Sequence, residues 1–503
     1  MEVGSIMQFL DNKTILVTGA LGFLAKIFVE KILRSQPNVK KLYLLLRAHD
    51  VKSAAQRLND EGFEKELFRV IKEKQNGNFD SFVWEKVIPV PGDITQDDNL
   101  GILRKDLDDH SENVDLLEQI LREVDVVVNL AATTNFDERY DVAYNINTLG
   151  AKHVLNFAKK CDNIKLLLHV STAYVSGEKA GLIVENPYKM GETLNGVSGL
   201  DIDNEKRIVD EKLGILSGGK AEESQVTLAM KDLGMERARM YGWPNVYVFT
   251  KAMGEMLLGH FKGNLPVVII RPTIVTSTYK EPFPGWVEGI RTIDSLFAGY
   301  CKGRLTSFLG DPKSIVDVIP ADMVVNAMIV AMAAHVNEQQ NINIYQVGSS
   351  VSHPIEYSCL QEYGQRYFTK HPWIGKDGKA VKVGKITVFG TMRSFQLYMT
   401  INYLLPLKGL ELVNAIFCQY FQGMYMELSR KIKFVMRLID IYHPYLFFKG
   451  IYDDINTEKL RRAARGSSSK DEAEMFYFDP KCINWENYFI NIHLPGVVKY
   501  VFK

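Results

Sequence analysis

Short apolar runs alternate with amphipathic segments through the first third of the chain. Five runs are rich in Val, Ile or Leu: residues 13–18, 40–46, 87–90, 125–130 and 165–171. Apolar side chains recur at helical spacing between the first two runs and again before the fifth. Continuous apolar strands separated by helices indicate a parallel sheet covered on both faces. We therefore predict an α/β fold built on a Rossmann-type doubly wound parallel sheet.

Two regions depart from this alternation. Residues 178–239 are polar and rich in Gly, Lys and Glu, with two helical patterns, and we predict an insertion that lies over the active edge of the sheet. From about residue 390 the chain becomes a series of Leu-, Tyr- and Phe-rich helices. We therefore predict a nucleotide-binding domain at residues 11–385 and a mainly helical C-terminal domain at residues 390–503.

Composition and charge mainly exclude classes of protein and site. The 503 residues are 46% apolar and 24% charged, which is typical of a globular protein with two or three domains. Sixty basic residues balance sixty acidic ones, so we expect no broad nucleic-acid-binding surface. The five cysteines lie far apart without a CxxC pair, so we expect neither a disulfide framework nor a zinc site.

A glycine-rich turn follows the first predicted strand and opens the first predicted helix. Its sequence is Thr18-Gly19-Ala20-Leu21-Gly22-Phe23-Leu24-Ala25. In this context Gly19 permits a tight turn, Gly22 lets the backbone approach a phosphate, and the small Ala25 lets the helix pack on the strand. A glycine pair alone would indicate only a turn. Its position after a buried strand near the N-terminus predicts a dinucleotide site.

The end of the second predicted strand bears on the choice of cofactor. NAD-preferring sites usually carry Asp or Glu there to hold the ribose hydroxyl. This chain has Arg47, whose guanidinium would face a 2′-phosphate, so the sequence favours NADPH. A solvated surface arginine is the alternative interpretation. Asp93, after the third strand, is a candidate contact to the adenine.

A tyrosine and a lysine four residues apart form the second chemical motif. Tyr247 and Lys251 would share one helix face, and we expect the ammonium to lower the pKa of the phenol so that it can pass a proton to an alkoxide. The motif needs a hydroxyl at the end of the fifth strand to polarise a carbonyl. Ser171 and Thr172 both lie there, and we favour Thr172. We expect His169, in the same strand, to be a packed core histidine.

These motifs together resemble the extended short-chain dehydrogenase/reductase superfamily. The resemblance narrows to the alcohol-forming fatty acyl-CoA reductases, in particular the plant branch, and covers the chain from Asp11 onward. It rests on the glycine turn, Tyr247/Lys251 and the segments Asn129–Ala132, His169–Val175, Gly242–Asn245, Arg271–Ile274, Glu281–Trp286 and Phe476–Pro480. Leu21 and Ala25 depart from the family turn, where Thr and Gly are often found, and we expect cofactor binding to survive both changes.

The resemblance implies an NADPH-dependent reduction of a long-chain fatty acyl-CoA to a primary alcohol through an aldehyde, in wax, cutin or suberin-type lipid metabolism. Thr172, Tyr247, Lys251 and, as the alternative hydroxyl, Ser171 would form the catalytic group. The implied cofactor contacts are Thr18, Gly19, Leu21, Gly22, Phe23, Arg47, Asp93, Ala131, Tyr247 and Lys251. The alternative function is a reductase or epimerase that acts on a small or nucleotide-linked substrate. A dinucleotide-binding scaffold without activity is less favoured, because the catalytic group is complete.

Two apolar segments near the C-terminus bear on location. We predict that Leu397–Phe421 is buried or interfacial, because Pro406 and charged residues interrupt it and leave too little for a spanning helix. Residues 442–452 could touch a membrane, line an acyl tunnel or pack in the core. Because residues 1–10 carry no readable secretory signal, we expect a peripheral protein on the cytosolic face of the endoplasmic reticulum, with the cytoplasm as the alternative.

Overall fold

A computed structural model describes residues 3–102, 113–305, 307–336, 342–375, 378–467 and 469–502. Its strands are β1 Thr14–Thr18, β2 Lys41–Leu46, β3 Val87–Pro91, β4 Val126–Asn129, β5 Leu166–Val170, β6 Gly181–Ile183, β7 Val267–Pro272, β8 Ile274–Thr276, β9 Ser307–Leu309, β10 Val318–Pro320, β11 Ile342–Val347, β12 Thr387–Phe389 and β13 Gly450–Tyr452. In the described part, seven of them form one parallel sheet in the order β11-β7-β5-β4-β1-β2-β3.

The helices lie between and after these strands. In chain order they are α1 Ile6–Leu10, α2 Phe23–Ser35, α3 Val51–Leu58, α4 Arg69–Lys74, α5 Phe79–Lys86, α6 Asn113–Glu123, α7 Tyr140–Ala143, α8 Gly150–Ala158, α9 Ile202–Gly218, α10 Glu223–Met240, α11 Val246–Phe261, α12 Thr292–Cys301, α13 Ala321–His335, α14 Tyr357–Lys370, α15 Met392–Met399, α16 Leu405–Ile416, α17 Gln422–Leu446, α18 Ile455–Ser467, α19 Lys470–Met475, α20 Trp485–Tyr488 and α21 Leu494–Tyr500. A π-helical turn joins α7 to α8.

The central sheet is buried on both faces because successive side chains of a strand point to opposite sides. On one face Ile15 and Val17 of β1 share a core with Phe28 of α2 and Val324 of α13. On the other face Leu16 shares a core with α6, α8 and α11. Helices on both sides of a parallel sheet confirm the predicted Rossmann-type doubly wound fold.

The five predicted strands are present, and β7 and β11 extend the sheet beyond them. β7 pairs with β5 and carries β11 on its outer side. We did not predict either strand, although β7 is a continuous apolar run, because it follows the long polar insertion. That insertion forms β6, α9 and α10, and its helices pack against α7 and α11.

The C-terminal region shares its core with the sheet. The Tyr488 hydroxyl donates to the Ser277 carbonyl at 2.8 Å and lies 2.7 Å from Thr276 Oγ1. β13 pairs in parallel with β6 of the insertion, so a strand forms where only helices were expected. The domain boundary near residue 390 stays a prediction.

The segment Leu397–Phe421, predicted to be buried or interfacial, is largely exposed, so burial in the protein core was the wrong alternative and the interfacial one stays a prediction. Leu412 and Ile416 of α16 are 68% and 75% exposed, and Tyr420, in the turn that follows α16, is 82% exposed. The helical spacing of apolar residues does not show whether their side chains pack against the protein or face outward. Within the described residues, no helix combines the length and hydropathy that a membrane crossing requires.

Candidate active site

The predicted site residues gather at one edge of the sheet. Parallel strands all end at the same edge, and ligands of open α/β sheets bind there. The predicted residues lie along this edge: Thr18 and Gly19 at β1, Arg47 after β2, Asp93 after β3, Ala131 after β4, and Ser171 and Thr172 after β5.

The glycine turn is built for a close approach of backbone atoms. Gly19 has a φ of 65°, and a Cβ at this position would lie 2.7 Å from the backbone nitrogen and Cα of Ala131. Glycine is therefore required by both conformation and space. Gly22 caps the N-terminus of α2, whose first amides have no partner within the helix. This cradle fits the pyrophosphate of a dinucleotide.

Aromatic and basic side chains lie beside the turn. Phe23, the first residue of α2, stacks on Trp286 with ring centroids 5.3 Å apart. The Arg291 guanidinium lies 4.8 Å from the centroid of the Phe23 ring. Leu21 is half-buried, so it is a weaker candidate for direct contact than the glycines.

Arg47 and Asp93 keep the positions that the sequence predicts. Arg47 is exposed just beyond β2 and its carbonyl accepts from Arg57 Nη1 at 2.6 Å, while its guanidinium has no hydrogen-bond partner among the residues that the structure describes. Its guanidinium is thus available to an anionic group at this edge. Asp93 Oδ1 accepts from the Thr95 amide at 2.9 Å, which shapes the turn after β3.

The structure brings Thr172 and Tyr247 together. The Thr172 hydroxyl lies near enough to the Tyr247 phenol to act on its pKa in the lowering direction. Thr172 Oγ1 also accepts from the Tyr174 amide at 3.3 Å and donates to the Pro272 carbonyl at 3.5 Å. Ser171 Oγ is buried and has no hydrogen-bond partner among the described residues. Of the two hydroxyls that the sequence left open, the geometry therefore favours Thr172.

The expected effect of Lys251 on Tyr247 is absent. Burial raises the pKa of Tyr247 to about 12, while the hydrogen bond to Thr172 and the charge of Arg291 act in the lowering direction. Lys251 instead donates to the Val170 carbonyl at 2.7 Å. The prediction that the ammonium lowers the phenol's pKa was wrong for this structure, because the lysine is directed at the end of β5.

A buried chain of hydrogen bonds joins Lys251 to the glycine turn. Thr18 Oγ1 donates to Asn129 Oδ1 at 2.6 Å, so the Asn129 amide nitrogen faces His169 Nδ1 at 3.0 Å. His169 Nδ1 is then an acceptor, and Nε2 carries the proton that points to Lys251 Nζ at 3.2 Å. This tautomer suits the neutral amine of Lys251, whereas the charged amine would require Nε2 as an acceptor.

Burial lowers the pKa of both members of this pair. Burial lowers the pKa of Lys251 to about 8, and Glu255 opposes that shift. Burial also lowers the pKa of His169 well below its usual range, and the charge of Lys251 adds to the effect. His169 is therefore the packed, hydrogen-bonded core histidine that the sequence predicts, and it also contacts Lys251.

Several residues at the site were not predicted. Phe136 stacks on Tyr247 with centroids 5.5 Å apart, and Tyr442 and Tyr445 of α17 each lie 5.4 Å from Phe136. The Tyr445 hydroxyl accepts from Asn245 Nδ2 at 2.7 Å. Tyr442 and Tyr445 thus pack beside Tyr247 through Phe136. Its aromatic composition was a usable signal, whereas nothing in the local sequence marks Phe136 or Arg291.

The fold and the arrangement of the site residues together define a class of enzyme. A doubly wound parallel sheet whose edge carries a glycine turn and a hydroxyl–tyrosine pair is that of an extended short-chain dehydrogenase/reductase. Residues 17–328 match an NAD-binding family described as Male sterility protein, and residues 402–503 match a second family, Sterile, with the same description. The chain therefore binds a nicotinamide cofactor. The chain belongs to the fatty acyl-CoA reductase family.

Similar proteins cover the full length of the chain. It is 61% identical over 501 residues to an alcohol-forming fatty acyl-CoA reductase of Simmondsia chinensis, with 99% of both chains covered. It is 53% identical over 498 residues to fatty acyl-CoA reductase 1 of Arabidopsis thaliana, again with 99% of both covered.

The solved structures agree in fold. The terminal R domain from the myxalamid PKS-NRPS pathway superposes with a TM-score of 0.56 at 16% identity and covers 98% of this chain and 92% of that chain. The R domain of a non-ribosomal peptide synthetase from Mycobacterium tuberculosis gives a TM-score of 0.54 at 15% identity, with 99% and 94% covered. At these identities the likeness concerns the fold alone.

Proposed function

We propose that this chain reduces a long-chain fatty acyl-CoA to a primary alcohol, with NADPH as the cofactor, at the cytosolic face of the endoplasmic reticulum. The observation that carries the catalytic part is the proximity of the Thr172 hydroxyl to the Tyr247 phenol, at the sheet edge that also holds the glycine turn. Relatives named as fatty acyl-CoA reductases, matched over nearly their whole length, support the substrate class. They also disfavour the alternative of a small or nucleotide-linked substrate.

The two hydroxyls suit reduction of a thioester. When bound, the nicotinamide supplies the hydride. Thr172 and Tyr247 donate hydrogen bonds to the carbonyl oxygen, which becomes an oxyanion as its carbon turns tetrahedral. Because the pKa of Tyr247 is raised, the phenol stays protonated near neutral pH and serves as a donor. The thioester carries its own leaving group, so an acyl-enzyme is unnecessary.

The reaction balances without another redox partner. The first hydride adds to the thioester carbon, and the tetrahedral adduct expels the CoA thiolate, which takes a proton and leaves an aldehyde. A second hydride adds to the aldehyde carbon, and the alkoxide takes a proton to become the alcohol. Two hydrides and two protons are consumed, so two cofactor molecules are oxidised for each alcohol formed.

The test is an assay of the purified chain with palmitoyl-CoA or stearoyl-CoA and NADPH. We expect a C16 or C18 alcohol by gas chromatography, with two NADPH oxidised per alcohol. An aldehyde that accumulates at one NADPH per product would contradict the alcohol-forming part. Absence of any reduced lipid would contradict the substrate class.

Arg47 supports the choice of NADPH, and its replacement gives a prediction. In the Arg47→Asp variant a charge-assisted contact to the 2′-phosphate becomes a repulsion. We expect the NADPH-over-NADH ratio of kcat/KM to fall by roughly 1.5–3 kcal/mol, or about 10- to 150-fold. Lys52→Asp, an exposed charge change in the neighbouring α3, is the control. An equal drop in both variants would assign the effect to general electrostatics.

The exposed apolar face of α16 supports membrane association. Leu412, Ile416 and Tyr420 project outward, and exposed basic residues lie close by in sequence at Lys408 and Arg430. Such a surface can enter the interface of a bilayer, where apolar burial and attraction to anionic headgroups add. Asn414 shapes the turn into α17, since its Oδ1 accepts from the Phe421 amide at 2.9 Å.

A vesicle experiment tests this surface. We expect the chain to float with phosphatidylcholine/phosphatidylserine vesicles and to be released largely by alkaline carbonate. The Ile416→Glu variant should lose most of its bound fraction, because a charge enters the apolar face. Ile215→Glu, at a residue of α9 that is 72% exposed, is a matched control and should bind as the parent does. Equal binding by all three proteins would contradict the proposed surface.

A further inference from the structure

Arg291, the residue that precedes α12, is a half-buried cation with no ion pair among the residues that the structure describes. Its Nε donates to the Glu288 carbonyl at 3.2 Å. The two carboxylates that act on its charge both have other partners. The Glu288 side chain binds Lys26 Nζ at 2.7 Å, and Asp294 Oδ1 lies 2.9 Å from His493 Nε2. The Arg291 guanidinium thus remains available to an anion.

The cations of the nearby helix α2 show the ordinary arrangement. Each has a carboxylate partner: Lys26 pairs with Glu288, Lys31 with Glu281, and Arg34 with Glu30. Cations that are withdrawn from water normally have such a partner, because an unpaired buried charge costs free energy. Burial accordingly lowers the pKa of the Arg291 guanidinium. A bound anion would explain why this chain keeps a cation there.

The loop that carries Arg291 is held against the first turns of α2. Trp286 stacks on Phe23 with ring centroids 5.3 Å apart, and Glu288 binds Lys26. The Arg291 guanidinium lies 4.8 Å from the centroid of the same Phe23 ring. Because Phe23 is the first residue of α2, these contacts fix the guanidinium beside the N-terminal end of the helix. The amides without a partner within the helix lie at that end.

The guanidinium is also within electrostatic reach of the catalytic group. The charge of Arg291 acts on the pKa of Tyr247 in the lowering direction. In this class of fold the pyrophosphate of a dinucleotide lies at the glycine turn, and the nicotinamide must reach the substrate carbonyl beside Tyr247. A cation close to both places lies alongside the diphosphate, which is the charged group that all nicotinamide dinucleotides share.

We propose that Arg291 binds the diphosphate of the nicotinamide cofactor through the terminal nitrogens of its guanidinium. The planar guanidinium presents parallel N–H donors that match the oxygens of a phosphate. The glycine turn, residues 18–25, contains no charged residue, so Arg291 supplies the positive charge that the turn lacks. The inference rests on the nicotinamide cofactor alone and is independent of the acyl substrate.

The Arg291→Met variant removes the charge and keeps an unbranched side chain over Phe23. We expect the dissociation constants of NADPH and NADH to rise by the same factor, roughly 10- to 150-fold, the range for a hydrogen bond to a charged group. Fluorescence titration of the purified protein without acyl substrate measures both constants. Arg47→Asp should instead weaken NADPH selectively. Arg291→Lys should recover part of the affinity, because the charge returns without the parallel donors.

Arg69→Met is the matched control. The Arg69 guanidinium also lies over an aromatic ring, 4.6 Å from the centroid of Phe283, but it is 49% exposed and paired with Glu66 at 3.2 Å. We expect this variant to bind both cofactors as the parent does. An equal loss of affinity in Arg69→Met and Arg291→Met would assign the effect to net charge and overturn the inference.

Thermal unfolding separates cofactor binding from a purely structural role. Without cofactor, Arg291→Met should unfold close to the parent's temperature, because removal of a half-buried charge offsets the lost bond to the Glu288 carbonyl. At a fixed NADPH concentration, the cofactor should raise the unfolding temperature of the variant less than that of the parent. A less stable variant that binds both cofactors with the parent's affinity would make Arg291 a structural residue and overturn the inference.

A comparison of ligands identifies the diphosphate, since CoA also contains one. ADP-ribose keeps the diphosphate of the cofactor and lacks the nicotinamide. Arg291→Met should weaken ADP-ribose by about the factor found for NADH and should leave CoA binding unchanged. Weakening of CoA alone would assign Arg291 to the acyl donor, and weakening of NADH without ADP-ribose would assign it to the nicotinamide end. Either result overturns the inference.

None of these measurements uses turnover, so they separate the inference from the proposed function. A parent that binds NADPH but reduces no acyl-CoA contradicts the proposed function and leaves the role of Arg291 to be decided by the titrations. Should Arg291→Met fail to fold, Arg291→Lys decides, with Arg69→Lys as its control. Equal affinities for both cofactors in the parent, Arg291→Lys and Arg69→Lys would then overturn the inference.

Discussion

The Tyr247→Phe variant is expected to lower kcat for alcohol formation by a factor on the order of 10²–10⁴, the range for loss of a general acid. The substitution removes one hydroxyl and keeps the ring that stacks on Phe136. Thr172 then remains as the lone hydroxyl for the oxyanion, and the alkoxide has no positioned proton donor. Cofactor binding, followed by quenching of protein fluorescence with NADPH, should change little.

Tyr144→Phe is a matched control for this experiment. It also removes a buried tyrosine hydroxyl, one that donates to the Ile202 carbonyl at 2.7 Å and lies in the turn between α7 and α8. We expect a modest loss of stability and a kcat close to that of the parent. Near-normal turnover by Tyr247→Phe would remove Tyr247 from its role, and an equal loss in both variants would indicate a general effect on folding.

The part of the fold that could be predicted is the part specified by local sequence. β1 is a buried run of five residues between a turn and a helix, and its apolar pattern needs no knowledge of its partners. β7 has the same pattern, but its place beside β5 depends on how a long insertion returns to the sheet. The exposure of α16 likewise depends on what packs against it, which periodicity does not encode.

The site residues also fall into those that local sequence predicts and those that only tertiary packing determines. Thr18, Thr172 and Tyr247 could be located because strand ends and helix spacing place them at one edge. The direction in which the Lys251 side chain points could not be predicted, since it depends on contacts with His169 and the Val170 carbonyl, which are distant in sequence. The tyrosines of α17 lie about 200 residues from Tyr247 in the chain, and their contact with Phe136 is set by tertiary packing.

Replacement of Lys251 by Met should lower kcat by at least a factor on the order of 10² without a matching loss of stability at neutral pH. Met keeps the length and apolar stem of the side chain and removes an amine that is almost fully buried. The lost bond to the Val170 carbonyl costs stability, and removal of a buried cation offsets that loss. Thermal unfolding and turnover of the two proteins at pH 7 measure both effects.

The difference in the free energy of unfolding between the parent and Lys251→Met should depend on pH, because the pKa of Lys251 is lowered in the folded state. A pKa of about 8 in the folded state, against 10.5 when unfolded, means that the native state disfavours the proton and that the parent's free energy of unfolding rises between those values. Relative to Lys251→Met, the parent should therefore gain about 2 kcal/mol from pH 7 to 9.5. Urea unfolding at both pH values tests this, with Lys206→Met as the control, because Lys206 is exposed and paired with Asp210 at the surface of α9. Parallel curves for the parent and Lys251→Met would mean that Lys251 keeps its charge, and the His169 contact would then have to be made by the other tautomer of the imidazole.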